Sequence, residues 1–191
     1  MRSVRITALI LSAAAVLFAA RTESSAAAVA ESVLRLHVVG ASDSQEDQAL
    51  KLRARDAVLE YLAPLLESCK SREEAEQKIL PLLRDIAEVA ARASGQAAEA
   101  GLAGEEFPER EYDGFALPAG DYRALRIRLG EAQGKNWWCV VFPPLCAALA
   151  SDDPDAFALF DGGETALISG AGRELRFRVV EWTRSLLARL S

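Results

Sequence analysis

The sequence SVLRLHVVGASDS, residues 32–44, decides the fold that we expect. In its first part the side chains alternate along the chain, with Leu34, Leu36 and Val38 on one side, and β-branched residues are frequent, which predicts a strand. The Gly, Ala, Ser and Asp residues that follow break the strand and supply side chains that cap helix N-termini. A helix is therefore expected directly after the strand, and it should run to about residue 68.

Further helices and strands follow along the chain. Ser71 and Glu74 form a capping box that opens a second helical region, whereas residues 97–106 are rich in Ala and Gly and are expected to be a connection. Residues 122–129 (YRALRIRL) and 137–142 (WWCVVF) predict two strands joined as a hairpin, the second apolar on both faces and therefore central. The predicted fold class is α+β, a single compact domain in which helices pack on a small, mainly antiparallel sheet.

Residues 1–30 carry the features of a targeting segment. Arg2 and Arg5 precede an apolar run over residues 6–20, and small residues follow it, which is typical of a secretory signal peptide. As a helix this run covers roughly 22 Å, less than the roughly 30 Å hydrocarbon core of a bilayer. A cleaved signal peptide and an uncleaved signal anchor are both open, and in the second case residues 6–20 contact the membrane. In either case we expect the chain from Glu31 onward to lie outside the cytoplasmic membrane.

The exported part is expected to consist of two segments. Residues 31–150 carry the strands and helices described above and form the main domain. Residues 151–191 begin with a turn-rich sequence, and apolar residues at helical spacing near their end predict a C-terminal helix.

Composition limits the classes of function. The 191 residues include 22 Lys and Arg against 28 Asp and Glu, and this net charge of −6 argues against a nucleic-acid binder, which needs a basic face. His37 is the only histidine, so a multi-histidine metal site cannot form within one chain. We therefore predict no catalytic residue, no cofactor and no metal site.

Three cysteines leave alternatives open. Cys139 and Cys146 flank a Pro-Pro turn, and they either form a disulfide or stay as reduced, buried thiols. Cys69, at a helix end, is expected to be the unpaired one. An alternative function uses these side chains: a secreted, cell-wall-directed hydrolase with a Cys or acidic site, in which His37 is the base. A structural module associated with the wall or the membrane is a third possibility.

The run NWWCVVFPP, residues 136–144, is the most informative for function. Trp137 and Trp138 are neighbours on a strand and point to opposite faces, so one can fill the core while the other docks a partner. Cys139 makes the face of Trp137 the less apolar one, so we expect Trp137 to be exposed. The predicted partner-binding residues, from this run and from the turn after the first strand, are Asn136, Trp137, Trp138, Phe142, Pro143, Pro144, Ser42 and Asp43.

This run and several other motifs of the sequence resemble the signature of a known family, the stage II sporulation protein R family. They occur in family order over about residues 34–146. Among them are Ser42-Asp43-Ser44, Glu46-Asp47-Gln48, Leu50-Lys51, Arg55-Asp56-Ala57-Val58, Phe107-Pro108, Leu117-Pro118-Ala119-Gly120, Asn136-Trp137-Trp138-Cys139-Val140 and Phe142-Pro143-Pro144-Leu145-Cys146. The sequence departs from the family at residues 97–106, where a strand is usual.

The resemblance implies a signalling protein of endospore-forming bacteria rather than an enzyme. Proteins of this family are made in the forespore and exported into the space between the two septal membranes. There they trigger the mother-cell membrane peptidase that processes the precursor of sigma factor E. The resemblance thus implies a partner, the extracytoplasmic face of this peptidase, and an exported protein that is either secreted or signal-anchored.

Overall fold

The structure is a computed structural model that describes residues 2–112, 115–144, 160, 162–169 and 178. These residues divide into two compact units. The larger unit lies within residues 30–106 and 121–159, and the smaller one within residues 1–29, 107–120 and 160–191. Each unit has its own elements.

The larger unit contains four strands and three helices, with a short 3-10 turn at Leu80–Leu82. In chain order these elements are β1 (Leu34–Val39), α2 (Gln45–Leu66), α3 (Arg72–Ile79), α4 (Leu83–Ser94), β2 (Ala98–Phe107), β5 (Gly120–Leu129) and β6 (Asn136–Phe142). The α+β fold class predicted from the sequence is therefore confirmed.

The smaller unit contains the remaining elements of the described residues. They are α1 (Arg2–Ser32), which runs on to the start of the larger unit, β3 (Arg110–Tyr112), β4 (Phe115–Leu117) and α5 (Gly162–Ile168). Strands β3 and β4 are antiparallel, and the Tyr112 and Phe115 rings stack with their centroids 4.6 Å apart. Among the helices described, none has both the length and the apolar character needed to cross a membrane. The assignment of residues 1–30 as a signal segment stays a prediction.

The strand order in the larger unit is β2-β5-β1-β6. Leu36 of β1 pairs with Leu125 of β5 in parallel and with Cys139 of β6 in antiparallel orientation. The predicted hairpin between β5 and β6 is therefore wrong, because β1 lies between them. The loop that joins them crosses the end of β1, where Gly134 N donates to Gly40 O at 2.8 Å. The interior strands of the described sheet are β5 and β1, whereas β6, predicted to be central, lies at one edge of it. All residues of β1 are buried.

Residues 97–106, expected to be a connection, form most of strand β2. Its small side chains and Leu102 pack against the core on one face. On the other face Glu99 and Glu105 form ion pairs with arginines of β5. The prediction failed because Ala and Gly give almost no contrast between the two faces of a strand, so a hydropathy pattern did not show the alternation.

The helices begin and end where the sequence indicates. Ser44 caps α2 by accepting a hydrogen bond from Asp47 N at 3.1 Å. Ser71 does the same for α3 by accepting from Glu74 N at 3.3 Å. Helix α4 ends at Gly95, whose φ of 71° lies in the left-handed region that glycine adopts without strain. These caps fix where each helix starts or stops relative to the sheet.

The core of the larger unit lies between the helices and one face of the sheet. Strand β1 contributes Leu34, Leu36 and Val38 to it, because alternate side chains of a strand point to the same face. Cys69 is a buried free thiol in this core. Other buried members are Ala54, Val58, Leu62, Leu66, Ala75, Ile79, Ile86, Ala90, Leu125, Ile127, Leu129, Cys139, Val141 and Phe142.

Candidate functional site

The candidate site lies on the face of the sheet opposite the helices, which we call the polar face. It is formed by alternate residues of four strands. Its members are Arg35 and His37 of β1, Glu105 of β2, Arg126 of β5, and Asn136 and Trp138 of β6. Strand β1 therefore supplies core residues to one face and charged or titratable residues to the other.

His37 links two strands that are not neighbours in the sheet. Its ring nitrogen Nδ1 lies 2.6 Å from Glu105 Oε2, and because a carboxylate only accepts, Nδ1 donates this hydrogen bond. Its other ring nitrogen, Nε2, lies 2.9 Å from Asn136 Oδ1. With 8% of its surface exposed, the imidazole is held in one orientation by side chains from both sides. His37 is therefore a hydrogen-bonded residue within a strand.

Glu105 lies between two cationic or protonatable groups. Its Oε2 faces His37, and its Oε1 lies 3.3 Å from Arg126 Nε. The Glu105 side chain is 16% exposed and that of Arg126 is 45% exposed. The carboxylate is thus largely withdrawn from water, while the Arg126 guanidinium presents a positive charge at the surface of the polar face.

Arg35 is completely buried on the same face. Its Nε donates to the main-chain oxygen of Cys139 at 3.2 Å. Its guanidinium carbon lies 5.0 Å from the centre of the Tyr122 ring, a distance at which a cation is attracted to the aromatic face. These contacts offset part of the cost of burying a charge, which is high for an arginine without partners.

The two tryptophans point to opposite faces, as the sequence predicts, but it is Trp137 that faces the core. Trp137 packs against the core on the helix side, where the Arg55 guanidinium lies 4.6 Å from its ring centre. Trp138 lies half-buried on the polar face, with its ring centre 5.8 Å from that of His37. The expectation that Trp137 is the exposed member is wrong, because Cys139, which suggested a less apolar face, is itself a core residue.

The other residues predicted from this run have different surroundings. Asn136 is exposed and contacts His37, and Pro144 is also exposed. Phe142 and Pro143 are buried, Phe142 among the core residues. In the predicted docking run Asn136 and Pro144 are therefore exposed, and Trp137 and Trp138 are half-buried on opposite faces.

Ser42 and Asp43 lie in the turn after β1, and their polar atoms are used within the protein. Ser42 Oγ donates to Asp47 Oδ2, and Asp43 Oδ1 accepts from Lys135 N at 2.6 Å. Hydrogen bonds, first from Ser42 and next from Gln96, lower the pKa of the Asp47 carboxyl below its ordinary value. These contacts join the turn to helix α2 and to the β5–β6 loop. A role of this turn in partner binding stays a prediction.

Lys51 joins helix α2 to the β5–β6 loop. Its ammonium donates to Gln48 Oε1 at 2.6 Å and to Lys135 O at 2.9 Å, and the residue is 4% exposed. Burial lowers the pKa of this ammonium, because taking a charge out of water favours its neutral form. Ser42, Asp43 and Lys51 therefore act first as structural contacts.

The cysteine–histidine pair of the hydrolase alternative is not assembled. Cys139 points to the helix side of the sheet and His37 to the polar face, so the Cys139 thiol cannot serve as a nucleophile for this base. Cys146 lies outside the described residues, and so does its predicted disulfide with Cys139. Within the described ranges, no group of three potential metal-ligating side chains occurs.

Sequence reasoning missed three members of the polar face. Arg35 alternates with Leu34 and Leu36, and Arg126 with Leu125 and Ile127; this alternation is a signal of a polar face. Glu105 could not be found, because the strand that carries it was not recognised. The three side chains become a cluster only through the strand order.

Comparison with known proteins gives a consistent result. The family model described as stage II sporulation protein R matches residues 30–152. The stage II sporulation protein R of Bacillus subtilis strain 168 is 36% identical over 133 residues, which cover 67% of this chain and 59% of the relative. The chain thus spans less than two thirds of that relative's length. No solved structure shows a significant match. On the family match and this relative, the chain belongs to the stage II sporulation protein R family.

Proposed function

We propose that this protein is an exported sporulation signal that activates, by contact, the mother-cell membrane peptidase that processes the precursor of sigma factor E. The observation that carries the proposal is membership of the family over residues 30–152. In this proposal the protein leaves the forespore and acts on the extracytoplasmic face of the peptidase from the intermembrane space. It is either secreted or held at the membrane by residues 6–20, and it contributes no catalytic group.

The surface around Trp138 is the part of the chain that we assign to this contact. The indole is half-buried and lies against His37, which Glu105 and Asn136 hold in place. A side chain that is already ordered loses little entropy on binding, and tryptophan is enriched among residues that dominate binding energy. The exposed Asn136 and the Arg126 guanidinium add polar groups beside it.

The experiment is reconstitution of the purified full chain, the peptidase and its precursor substrate in one membrane. Trp138→Ala should reduce activation by about 30-fold, the equivalent of roughly 2 kcal/mol of binding, and leave the thermal midpoint within a few degrees. Trp137→Ala, the matched control on the helix side, should instead lower the thermal midpoint. Wild-type protein that fails to raise precursor processing overturns the function, and equal effects of both variants overturn the assigned surface.

A secreted, wall-directed hydrolase is the second candidate, and one observation favours it. The 2.6 Å contact of His37 Nδ1 with Glu105 is the kind of contact that orients a catalytic base. However, Nε2, which has to face a nucleophile in such a site, faces the Asn136 amide. His37→Gln separates the two functions in an assay of fragment release from purified cell wall. A hydrolase loses this activity by orders of magnitude, whereas a signalling protein shows none in the wild type.

A further inference from the structure

Strand β2 is a ten-residue strand at one edge of the described sheet, and β6, which carries Trp138, is at the other edge. Its inner edge pairs with β5, and no strand of the described residues pairs with its outer edge. About half of the main-chain N–H and C=O groups of such a strand point away from the sheet. These groups can bind another extended segment by the same hydrogen bonds that build the sheet.

A groove of about 350 Å³ lies on the helix side of the sheet, and Leu102 of β2 is one of the residues that line it. Leu102 of β2 and Leu80, at the end of α3, give it apolar walls. Leu80 is 60% exposed, so its apolar side chain is available to a ligand in the groove. On the helix wall, Glu76 accepts hydrogen bonds from Arg72 and, at 2.9 Å, from Arg123, so these charges are already paired. The groove therefore offers an apolar rather than an ionic binding site.

The two faces of β2 leave space for side chains of a neighbouring strand. At Gly101 and Gly104, no atom of the described residues lies within 4 Å of the position that a Cβ would take. Glycine inside a strand permits close approach of another backbone. The two glycines point to opposite faces, so side chains of an added strand can approach on either face.

The charge of β2 selects between possible occupants. The strand carries three glutamates and no basic residue. Glu105 is already paired with His37 and Arg126, so the carboxylates open to an added strand are those of Glu106, which is exposed, and Glu99, which is 79% exposed with its only ion pair in the described residues at 3.7 Å. Two copies of β2 paired in antiparallel orientation bring these carboxylates close together, and like charges across two strands destabilise the pair. An added strand with lysine or arginine is instead favoured. A second copy of the chain is therefore the poorer occupant.

We propose that the outer edge of β2 is a strand-addition site for an extended segment of another protein in which apolar and basic residues alternate. The apolar side chains enter the groove between Leu80 and Leu102, and the basic ones lie beside Glu99 on the opposite face. This site is independent of the proposed function, since it requires neither the peptidase nor the Trp138 surface.

The test uses the full chain and a fluorescent peptide of the sequence Lys-Val-Lys-Leu-Lys-Val-Lys, with binding followed by fluorescence anisotropy. Saturable binding should protect the main-chain amides of residues 98–106 from hydrogen exchange. A peptide with proline in place of leucine should not bind, because it cannot continue the hydrogen-bond ladder. Absence of saturable binding, or protection only outside β2, overturns the proposal.

Two variants sharpen this test. Leu80→Asp should weaken binding at least tenfold, whereas Leu52→Asp, at another exposed leucine, should leave it unchanged. Glu99→Lys should reverse the preference, so that Glu-Val-Glu-Leu-Glu-Val-Glu binds more tightly than the basic peptide. Equal effects of the two leucine variants, an unchanged charge preference, or dimerisation of the chain through β2 each overturn it. Thermal midpoints of the variants confirm that they fold.

Discussion

Addition of a single methyl group at Gly134 should lower the stability of the fold. A Cβ at residue 134 would lie 2.2 Å from Ser42 O and 2.9 Å from Gly40 O, both main-chain atoms that cannot rotate away. Carbon and oxygen atoms in contact normally lie more than 3 Å apart, so the two loops must separate by about 1 Å. Gly134→Ala therefore acts on the whole contact between the turn after β1 and the β5–β6 loop.

The magnitude follows from the hydrogen bonds that cross this contact. Gly134 N donates to Gly40 O at 2.8 Å, Gln133 N to Ala41 O at 3.1 Å, and Lys135 N to an Asp43 carboxylate oxygen at 2.6 Å. A displacement of about 1 Å takes such bonds beyond the 3.2 Å range in which they are effective. Loss of two or three bonds, at about 1 kcal/mol each, predicts a destabilisation of about 2–3 kcal/mol.

The assay is thermal and urea unfolding of Gly134→Ala beside Gly101→Ala. For a chain of this length, 2–3 kcal/mol corresponds to a fall in the thermal midpoint of about 4–12 °C. At Gly101 the same methyl group meets no described atom within 4 Å, so this variant should be neutral or slightly more stable. If Gly134→Ala is as stable as Gly101→Ala, the close contact between the loops is refuted.

Three further expectations concern the loops and the core. The pKa of Asp47 is lowered in the fold, so the Asp47 carboxylate contributes stability that is present above pH 3.8, its ordinary pKa, and is lost as the pH falls through the lowered pKa. Asp47→Asn should therefore flatten the acid limb of the stability–pH curve below about pH 4. Lys51→Met should cost about 1–3 kcal/mol in urea unfolding, because it leaves the Lys135 carbonyl oxygen and Gln48 without their donor. Under denaturing conditions without reductant, mass spectrometry should find Cys69 fully alkylated, and a disulfide through Cys69 would contradict its place as a free thiol.

The parts of the fold that were predicted correctly depend on neighbours in sequence. The strand at residues 34–39, the Ser44 and Ser71 caps and the end of α4 at Gly95 follow from alternation, cap chemistry and the freedom of glycine. Each of these features is encoded within a few residues. The α+β class then follows because such strands and helices can bury their apolar faces only against each other.

The strand order could not be predicted in the same way. Alternation in residues 122–129 and 137–142 shows which side chains share a face, but not which strand lies beside which. Two strands close in sequence usually pair directly, and here β1 enters between them. The contact that allows this is the binding of the β5–β6 loop to the turn after β1, which involves residues about 90 positions apart.

The contacts of the candidate site depend on the strand order even more strongly, so the sequence pattern did not show them. His37 and Asn136 were recognised as residues of interest, but their contact, and that of His37 with Glu105, exists only because β1 lies between β5 and β6. The face of each tryptophan was likewise fixed by the neighbouring strand. In the sheet, Val38 stands beside Trp137 and His37 beside Trp138, so the apolar partner identifies the core face.

This arrangement of β1 determines how the function can be tested. Substitution of Arg35 or His37 disturbs a buried strand whose other side chains form the core, so a loss of signalling there does not separate contact from folding. Trp137 and Trp138 avoid this problem. They are the same residue type at adjacent positions of one strand, both half-buried, and only Trp138 shares its face with His37. A signalling defect confined to Trp138→Ala therefore reports a contact made on the polar face, since the difference in face is what distinguishes the two variants.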